Sequence, residues 1–569
     1  NANQQSENED NPNRKYPAID ERIRKTYIAE STAQKTKLYD MYARFFRWAS
    51  DRLDANGILA FVTNRSFVES RTFDGFRKIV AHEFSDIYVV DLGGDVRANP
   101  RLSGTKHNVF GIQTGVAISF LVKSAQTTKD KRPARVHYTR RPEMETAEEK
   151  LAFLACNPMR AIRFDEQRPD IHGNWLRIGS DGFEEMLPLA DRATKSAKSA
   201  KGERAVFKLY SLGVSTNRDE WLYAEDEKSL KAKVGYLIEQ YESQSPEAKY
   251  SQAIKWSRNL KRRFAQGRRE KFEARRVVKA AYRPFNSTCF YDSELYVDEA
   301  GSKESVFPLG MAGKQNNQLI MFCGHPQTPV AVHAISCIPD AGYASRATQS
   351  FPRWIHTAEA TVDNITDWAL KQFAAHYADE IGKGKGARKI TKEAIFHYCY
   401  AVLHDPVYRE KYAQNLKREF PRIPFYADFW RWAEWGEQLM ALHIGYEKTE
   451  PFALTRHDEL DTKARSAGLY PKALLKSDPA AGSILLDTET TLRGVPPEAW
   501  AYKIGNRCAI DWVLDQHKEK KSKDPTIREK FDTYRFADHK EKVVDLLQRV
   551  TMVSMETVRI IEAMKSRHR

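Results

Sequence analysis

The sequence predicts an α/β fold in its N-terminal part, followed by a mixed α+β region and a largely helical C-terminal part. A chain of 569 residues exceeds what one hydrophobic core usually organises, so several domains are expected. Helix-like and strand-like segments alternate up to Lys123, which is typical of α/β sheets. From Ile365 onward, apolar residues recur at three- and four-residue intervals, which predicts helices. We place the domains at residues 1–135, 136–362 and 363–569.

The alternation in the first domain starts with a helix predicted over Lys37–Leu53, which ends before Gly57. The short apolar run Ile58–Thr63 then fits a buried strand of a parallel sheet, because it is bounded by turn residues. Another helix and two more strands follow. They are predicted over Thr72–Phe84, Ile87–Leu92 and Val116–Val122.

The charge balance points to a polyanionic partner. Lys and Arg number 91 and Asp and Glu 76, which gives a formal net charge of +15. Such a surplus attracts nucleic acid through release of its counterions. An acidic membrane surface is the competing partner, but the sequence has no apolar run near 18 residues and no signal-peptide pattern. We therefore expect a soluble, cytoplasmic protein that binds double-stranded DNA and has no membrane contact.

The six cysteines lie far apart and form no pattern with zinc-ligand spacing. Cys323 and His325 are close in sequence, but a buried thiol beside an unrelated histidine is the simpler interpretation. We predict no metal site.

A basic segment over residues 255–279 is the clearest candidate for phosphate contacts. It holds eleven Lys or Arg against two acidic residues, and its aromatic residues are spaced like a helical stripe. We predict a basic helix that lies along the DNA backbone; the alternative is an ordinary solvated helix face. The candidate DNA-binding residues in this segment are Lys261, Arg262, Arg263, Arg268 and Arg269.

A polar, aromatic-flanked segment over residues 345–354 is where we expect base recognition. Arginine pairs with guanine and glutamine with adenine, so Arg346, Gln349 and Arg353 are candidates. The alternative is an ordinary surface loop. Asn217, Arg218 and Arg283 are weaker DNA-binding candidates, for which a role in holding the fold is the stronger interpretation.

Three segments resemble the later motifs of N6-adenine DNA methyltransferases of the γ arrangement. Residues 37–46 and 57–67 resemble the fifth and sixth motifs, and residues 104–120 resemble the segment that ends in the strand of the eighth motif. The order and spacing also fit. The resemblance implies the distal half of a Rossmann-like sheet that binds S-adenosylmethionine.

Longer stretches are similar to the single-chain, ATP-dependent type ISP restriction–modification enzymes of bacteria. These stretches are 211–221, 282–285 and 415–424, and they resemble the C-terminal specificity region of that family. In the family, nuclease and helicase domains precede the methyltransferase, and target recognition lies at the C-terminus. The resemblance therefore implies upstream nuclease and helicase domains as partners in the same parent chain.

The motifs of the catalytic half are missing from this sequence. It contains neither a phosphate loop of the Gly-x-x-x-x-Gly-Lys-Ser/Thr kind nor the glycine-rich loop that would cradle S-adenosylmethionine. The Asn-Pro-Pro-Tyr tetrapeptide is also absent, and in the family it would lie just before a segment like residues 1–5. We therefore expect a fragment of an adenine methyltransferase that is inactive alone.

The resemblance also assigns residues to the two ligands of the intact enzyme. Phe120 resembles the residue that packs against the flipped adenine, with Lys123 nearby, while Phe45 and Tyr39 are assigned to S-adenosylmethionine. The assignments of Phe120 and Phe45 each have a simpler alternative. Phe120 would be an inward-facing strand residue, and Phe45 would belong to the apolar stripe of its helix.

Three functional interpretations follow from these observations. The leading one is an enzyme fragment that recognises a duplex site, flips an adenine and methylates its N6 in the intact protein. The alternative is a stand-alone, sequence-specific DNA-binding module without catalytic activity. A nuclease could use Pro169-Asp170 with Asp226-Glu227-Lys228, but that spacing is wide and such pairs are common by chance.

Overall fold

The computed structural model describes residues 16–31, 38–95, 105–125, 132–142, 144–170, 173–176, 182–309, 317–325, 328–381 and 388–567. The residues that would adjoin the missing tetrapeptide lie outside these ranges. Contacts divide the chain into two compact units. The first contains residues 1–181 with 326–328 and 417–419, and the second contains the remaining residues.

The first unit is a mixed α/β structure. Its helices are α1 (Pro17–Ile23), α2 (Met41–Ser50), α3 (Ser66–Glu69), α4 (Asp74–Glu83) and α5 (Ala147–Cys156). Its strands are β1 (Gly57–Asn64), β2 (Asp86–Gly93), β3 (Val116–Lys123), β4 (Arg135–Arg140) and β5 (Asp165–Gln167). The predicted strands and the helices before β1 and β2 are confirmed to within a few residues. The unit extends beyond the predicted boundary at 135, because β4 and β5 join the same sheet.

The sheet of the first unit has the strand order β1-β3-β2-β4-β5. β3 is antiparallel to both of its neighbours, whereas β2 and β4 are parallel. The expectation that β1 pairs as a strand of a parallel sheet is therefore wrong, because it pairs antiparallel with β3. A parallel connection needs a crossover, usually a helix, and the described residues between β2 and β3 form only turns.

The first strand is also less buried than its apolar run predicts. Within β1 only Leu59 is buried, while Ile58 and Val62 have 65% and 51% of their surfaces exposed. β1 pairs with β3 alone among the described strands, so its outer side has no neighbour there.

The two faces of β3 have different surroundings. Ala117, Ser119 and Leu121 are buried, and the apolar ones join the core formed with α1, α2 and α4. Ile118 and Phe120, on the opposite face, are only half-buried. This alternation follows from the two-residue repeat of a strand and defines a packed face and a more open face of the sheet.

The second unit contains the remaining helices and strands. Its helices are α6 (Arg192–Ser196), α7 (Asp219–Leu222), α8 (Glu227–Glu242), α9 (Arg258–Ala265), α10 (Lys303–Val306), α11 (Asp367–His376), α12 (Ala378–Ile381), α13 (Lys392–Val402), α14 (Pro406–Lys411), α15 (Ala413–Leu416), α16 (Phe429–Ile444), α17 (Thr462–Ser466), α18 (Pro497–Ala501), α19 (Ala509–Gln516), α20 (Pro525–Lys530) and α21 (Phe536–Ser566). Its strands are β6 (Leu187–Pro188), β7 (Ser211–Leu212), β8 (Tyr223–Ala224), β9 (Val277–Arg283), β10 (Asn286–Tyr291), β11 (Leu319–His325), β12 (Thr328–Ile335), β13 (Ile338–Pro339), β14 (Gln349–Pro352), β15 (Trp354–His356), β16 (Thr361–Asp363), β17 (Arg422–Ile423), β18 (Thr455–Asp458), β19 (Ala473–Asp478), β20 (Ser483–Asp487), β21 (Thr490–Arg493), β22 (Lys503–Ile504) and β23 (Arg507–Cys508).

Several small sheets, rather than one large one, organise the second unit. Three of them have four strands, in the orders β13-β9-β10-β8, β12-β11-β14-β7 and β18-β21-β20-β19. Apolar side chains of β11, β12 and β14 join α11, α13 and α16 in one core. The mixed α+β prediction is confirmed. The C-terminal part is less helical than predicted, because the β18–β21 sheet lies within it.

The predicted basic helix is shorter than the basic segment. α9 covers only Arg258–Ala265, and Gly267 then takes a positive φ of 72°. A glycine in this conformation commonly ends a helix, because it has no Cβ to oppose the turn. The rest of the segment forms a loop and enters β9. Among the described residues, no helix is both long and apolar enough to cross a membrane.

Candidate nucleic-acid interface

A buried ion pair holds the carboxyl ends of β1 and β2 in the first unit. Arg65, directly after β1, donates from Nε to Oδ2 of Asp91 at 2.8 Å, and its Nη1 reaches Glu69. Burial alone would lower the pKa of Arg65, but the two carboxylates raise it well above its usual value. Tyr138 also donates to Asp91 at 2.7 Å. These charges compensate one another, so the network fixes the edge of the sheet.

A tightly hydrogen-bonded turn before β3 lies at this same edge. The Asn108 amide donates to the carbonyls of Gly94 and Thr114, and its Oδ1 accepts from the backbone amide of Phe110 at 2.9 Å. The turn presents Phe110 to solvent with 61% of its surface exposed. Ligands of open α/β sheets bind at the carboxyl ends of the strands, so an exposed aromatic ring here is well placed to meet one. Phe110 was not among the predicted residues.

Phe120 lies in the middle of β3, where its Cα pairs with those of Ala60 and Tyr88. It is half-buried on the open face of the sheet and therefore neither a core residue nor a freely exposed one. Its assignment to the adenine pocket stays a prediction.

Lys123 lies at the opposite end of the strand from the carboxyl edge. It pairs with Gly57 at the start of β1, whereas Val116 pairs with Asn64 at the end of β1. Seven residues of strand span roughly 23 Å. The Lys123 Nζ donates to the Leu53 carbonyl at 3.2 Å. The assignment of Lys123 to the flipped-adenine pocket, near Phe120, stays a prediction.

The two residues predicted for the cofactor differ in their accessibility. Phe45 projects from α2 with 52% of its surface exposed, so the expectation that it packs into the helix's apolar stripe is not met. Tyr39 is half-buried, lies 5.9 Å from the Arg44 guanidinium and has a pKa that partial burial raises. Both rings are available to pack against a ligand, and their role stays a prediction.

Several of the predicted DNA-binding residues of the second unit form hydrogen bonds or an ion pair at or near Asp298. Arg218 is buried and forms an ion pair with Asp298 at 3.0 Å, and Asn217 donates to the same carboxylate at 2.8 Å. Arg263 donates to the carbonyls of Leu295 and Val297 at 2.9 and 2.7 Å. The side-chain nitrogen atoms of Asn217, Arg218 and Arg263 therefore already have partners within the protein. This corrects their assignment to DNA contact, and the three residues instead position the loop before Asp298.

Two residues of the predicted base-reading segment also belong to the fold. Arg353 is buried, forms an ion pair with Asp363 and stacks its guanidinium 4.2 Å from the centre of the Trp354 ring. Gln349 lies in β14, where its Cα pairs with those of Phe322 and Leu212. Burial of Arg353 corrects its assignment to DNA contact, whereas the half-buried Gln349 stays a prediction.

Arg346 remains accessible on a well-ordered turn. The Thr348 backbone amide donates to the Ala341 carbonyl at 2.9 Å, and the Thr348 hydroxyl donates to the Arg346 carbonyl at 2.8 Å. Ser345 takes a positive φ of 63°, a conformation that costs a non-glycine residue free energy and needs surrounding contacts to hold it. The turn therefore presents an exposed guanidinium from a fixed backbone.

The exposed face of α9 carries the cations that are best placed for phosphate contact. Arg258 and Arg262 are one helical turn apart and exposed, while Leu260 and Phe264 are buried beneath them. Neither arginine forms an ion pair with any residue that the structure describes. Lys261, on the same side, has its Nζ 5.1 Å from the centre of the Tyr250 ring. Arg258 was not among the predicted residues, although helical spacing could have identified it.

Two other predicted cations lie in the loop after α9 and are partly neutralised. Arg268 lies 3.6 Å from Glu294, and Arg269 lies 3.3 Å from Glu242 and over the Phe264 ring. Both side chains are exposed, so they stay candidates for phosphate contact.

The carboxylates of the nuclease interpretation have local structural roles. Asp226 caps α8 by accepting from the Ser229 amide at 2.8 Å, and Asp170 accepts from the Asn174 backbone amide at 2.8 Å. Glu227 pairs with Lys231 one helical turn later. These contacts give no support to a nuclease site.

Comparison with protein families identifies the chain. The family model described as the Type ISP C-terminal specificity domain matches residues 205–546, which is more than half of the chain. The chain belongs to the Type ISP family. Arg346 and the α9 arginines lie within the matched range, as do the other DNA-binding residues predicted for the second unit. No curated protein matches the chain.

Three solved structures have a similar fold. This chain is similar to the DrdV–DNA complex determined by cryo-electron microscopy, with 46% identity, a TM-score of 0.85 and coverage of 98% of this chain and 55% of that one. A nuclease-deletion mutant of the Type ISP enzyme LlaGI, in complex with a DNA substrate mimic, is 25% identical with a TM-score of 0.78. Coverage there is 98% of this chain and 43% of that one.

The ATP-dependent Type ISP enzyme LlaBIII, bound to DNA, shares the fold at 23% identity and a TM-score of 0.78. Coverage is 96% of this chain and 35% of that one. This Type ISP chain spans about half the length of the first of these structures and less of the others.

Proposed function

We propose that this Type ISP chain recognises a specific duplex DNA sequence through its second unit. The main support comes from three arginines in the region that matches the Type ISP specificity domain. Arg346 and the α9 residues Arg258 and Arg262 are exposed, and none of them has a carboxylate partner among the described residues. Arg258 and Arg262 would bind phosphates without regard to sequence. Arg346 would read a base edge, since arginine binds the O6 and N7 atoms of guanine in the major groove.

We further propose that the first unit contributes to methylation of an adenine N6 in the parent enzyme. The target base must leave the duplex to react and then needs an aromatic surface against it. Phe110 at the carboxyl edge is better placed for this role than Phe120, because it is exposed on a rigid turn. Phe120 remains the second candidate for that surface.

We propose that this chain would hold one end of S-adenosylmethionine in the parent enzyme. Phe45 and Tyr39 would pack against its adenine ring, since one is exposed and the other half-buried. When bound, the cofactor supplies the methyl group. Asp91 is already committed to Arg65 and Tyr138, so it would shape the edge of the site and not bind the cofactor's polar groups.

The parent protein would work in the bacterial cytoplasm, where its nuclease and helicase domains would share the same DNA. A stand-alone specificity module is the second candidate function. It is favoured by the family model, which describes a specificity domain and matches residues 205–546.

The test of sequence recognition is selection from a pool of random duplexes by the purified 569-residue chain. We expect one consensus sequence to be enriched. Arg346→Ala should relax the preference at one position by about tenfold or more, because a good bidentate contact discriminates by roughly 1–3 kcal/mol. Arg559→Ala is the matched control, since Arg559 is an exposed arginine that pairs with Glu556 on α21.

Two results would contradict the proposal. If the chain binds all duplexes with equal affinity, sequence recognition fails. If Arg346→Ala weakens binding to every sequence alike, Arg346 contacts phosphate and another residue reads the base.

A further inference from the structure

A loop over residues 459–472 exposes three large apolar side chains in the second unit. Leu460, Leu469 and Tyr470 have 66%, 65% and 60% of their surfaces exposed. Single exposed apolar residues are common on protein surfaces, but three on one short loop indicate a binding surface. The loop connects the edge strand β18 to β19.

Both ends of this loop are fixed to the turn between β20 and β21. The Glu459 amide donates to the Glu489 carbonyl at 2.8 Å, and the Thr488 amide donates to the Lys472 carbonyl at 3.1 Å. The Thr488 hydroxyl also donates to Asp461 at 2.6 Å. Leu460 and Tyr470 therefore lie at the same end of the sheet. The two ends of the loop are close together, as in an Ω-loop.

The tip of the loop is ordered as well. Asp461 caps α17 by accepting from the Ala464 amide at 3.0 Å. After the helix, Gly468 takes a positive φ of 66°, and the Leu469 amide donates to the Ala464 carbonyl at 2.9 Å. This C-terminal cap directs Leu469 and Tyr470 outward from a fixed backbone. A partner would therefore meet these side chains at a low cost in conformational entropy.

The charges around the apolar tip are mostly positive. Lys463, Lys472 and Arg535 are exposed and form no ion pair with the described residues, and the Arg535 guanidinium lies 5.4 Å from the centre of the Tyr470 ring. The carboxylate of Glu489 is occupied by Arg465 at 2.6 and 2.8 Å. Glu459 and Asp461 are the acidic residues of the loop. The Asp461 carboxylate accepts hydrogen bonds from Thr488 and Ala464 and interacts electrostatically with Lys463.

We propose that the loop over residues 459–472 is a wedge that inserts Leu469 or Tyr470 between base pairs of duplex DNA. Lys463, Lys472 and Arg535 would bind the flanking phosphates. The inference rests on the proposed DNA-binding function and adds a contact that bends the duplex. It does not require the wedge to read sequence.

Two features favour DNA over a protein partner at this loop. Apolar side chains that stand among cations are the arrangement with which proteins unstack base steps and kink DNA by roughly 20–90°. A protein-binding patch instead has a core depleted in charged residues, whereas three cations without an ion pair to the described residues lie next to this one. The chain's net charge of +15 points in the same direction.

The experiment compares duplex binding and bending by the 569-residue chain and its variants. The wedge variant carries Leu469→Ala with Tyr470→Ala, and the cation variant carries Lys463→Gln with Lys472→Gln. Val362→Ala is the control, because Val362 is an exposed apolar residue on β16. Fluorescence anisotropy gives the Kd at several salt concentrations, and energy transfer between dyes at the duplex ends reports bending.

The wedge variant should bind about tenfold more weakly and lose the bend, with an unchanged salt slope because it removes no charge. The cation variant should lower the slope of log K against log salt by roughly 1.8, since each phosphate contact contributes about 0.9. All variants should keep the wild-type Tm, because the side chains are exposed.

The proposal is overturned if the wedge variant binds and bends DNA like wild type. It is also overturned if wild type self-associates in sedimentation while the wedge variant does not and keeps its DNA affinity, because the loop then docks a protein. If wild type binds no duplex at all, it is the proposed function that fails.

Discussion

Phe110 and Phe120 differ in the exposure of their side chains, although they lie close together in the sequence. In a methylation-competent Type ISP enzyme that contains this chain, Phe110→Ala should reduce methylation about ten- to a hundredfold, as expected from the loss of roughly 1–3 kcal/mol of stacking. Its Tm should not change, because the ring is exposed. Methylation by labelled S-adenosylmethionine and thermal unfolding are the two measurements.

Phe120→Ala is the matched comparison for this prediction. Its ring is half-buried in the sheet, so we expect a lower Tm and near-normal methylation by the folded fraction. The opposite pattern, with methylation lost only in Phe120→Ala at an unchanged Tm, would assign the adenine surface to Phe120.

Some site residues could be predicted from the sequence and others could not, for a reason that Arg218 and Arg346 illustrate. Both are arginines in polar segments, and sequence alone treats them alike. Arg218 is paired with Asp298, which lies far along the chain, whereas Arg346 has no carboxylate partner among the described residues. Such distant pairing decides which cations remain free for DNA, and a count of charges does not contain it.

The basic stripe of α9 should bind DNA without regard to sequence. Replacing both Arg258 and Arg262 with Ala should weaken binding to all duplexes alike and lower the slope of log K against log salt by roughly 1.8. Titrations at several salt concentrations check this. A loss confined to the selected consensus would show that the stripe reads bases.

Arg263→Ala is the control for the stripe. Arg263 follows Arg262 directly on α9, but its guanidinium donates to the Leu295 and Val297 carbonyls instead of facing solvent. We expect a lower Tm from the unsatisfied carbonyls and a smaller effect on the salt slope than that of the double variant.

Elements with a clear apolar pattern were predictable, and elements without one were not. β1 and β3 lie where the sequence places them, because their apolar runs are nearly continuous. β18 has four exposed residues and therefore no apolar signal. β19 is interrupted by an irregularity at which Leu475 takes a positive φ of 46°, so its alternation fails. These two strands explain why the sheet in the C-terminal part was missed.

Three buried histidines should make the second unit sensitive to acid. His333 and His443 stack with ring centres 5.0 Å apart, and His404 lies 5.4 Å from His443. Burial lowers the pKa of His333 and of His404 to about 3 and that of His443 well below its usual value. The folded protein therefore keeps them neutral at pH values where the unfolded chain binds protons.

Stability should accordingly fall as the pH drops below the unfolded pKa of about 6.5, by about 2 kcal/mol at pH 5 for each of His333 and His404. Urea unfolding between pH 7.5 and pH 5 measures this. His333→Phe should reduce the dependence of the unfolding free energy on pH. An unchanged pH profile in that variant would show that His333 does not contribute to the loss of stability in acid.

The chain alone should not methylate DNA, because its sequence lacks both the cofactor loop and the tetrapeptide that holds the adenine amine. Incubation of the purified chain with labelled S-adenosylmethionine and mixed-sequence duplex measures incorporation. Any incorporation above background would show that these motifs are dispensable or replaced elsewhere in the chain.

The reversed strand β3 also constrains how the first unit folds. It separates β1 from β2, so these two strands share no hydrogen bonds and are joined only through β3. The backbone groups of β1 that face β3 therefore cannot form their hydrogen bonds until β3 has been synthesised. During synthesis, the hydrogen-bonding groups on that side stay unpaired until Lys123 has left the ribosome, and pairing over such sequence separations is slow. Slow translation of the segment after residue 123 would therefore give β1 time to find its partner before the second unit emerges.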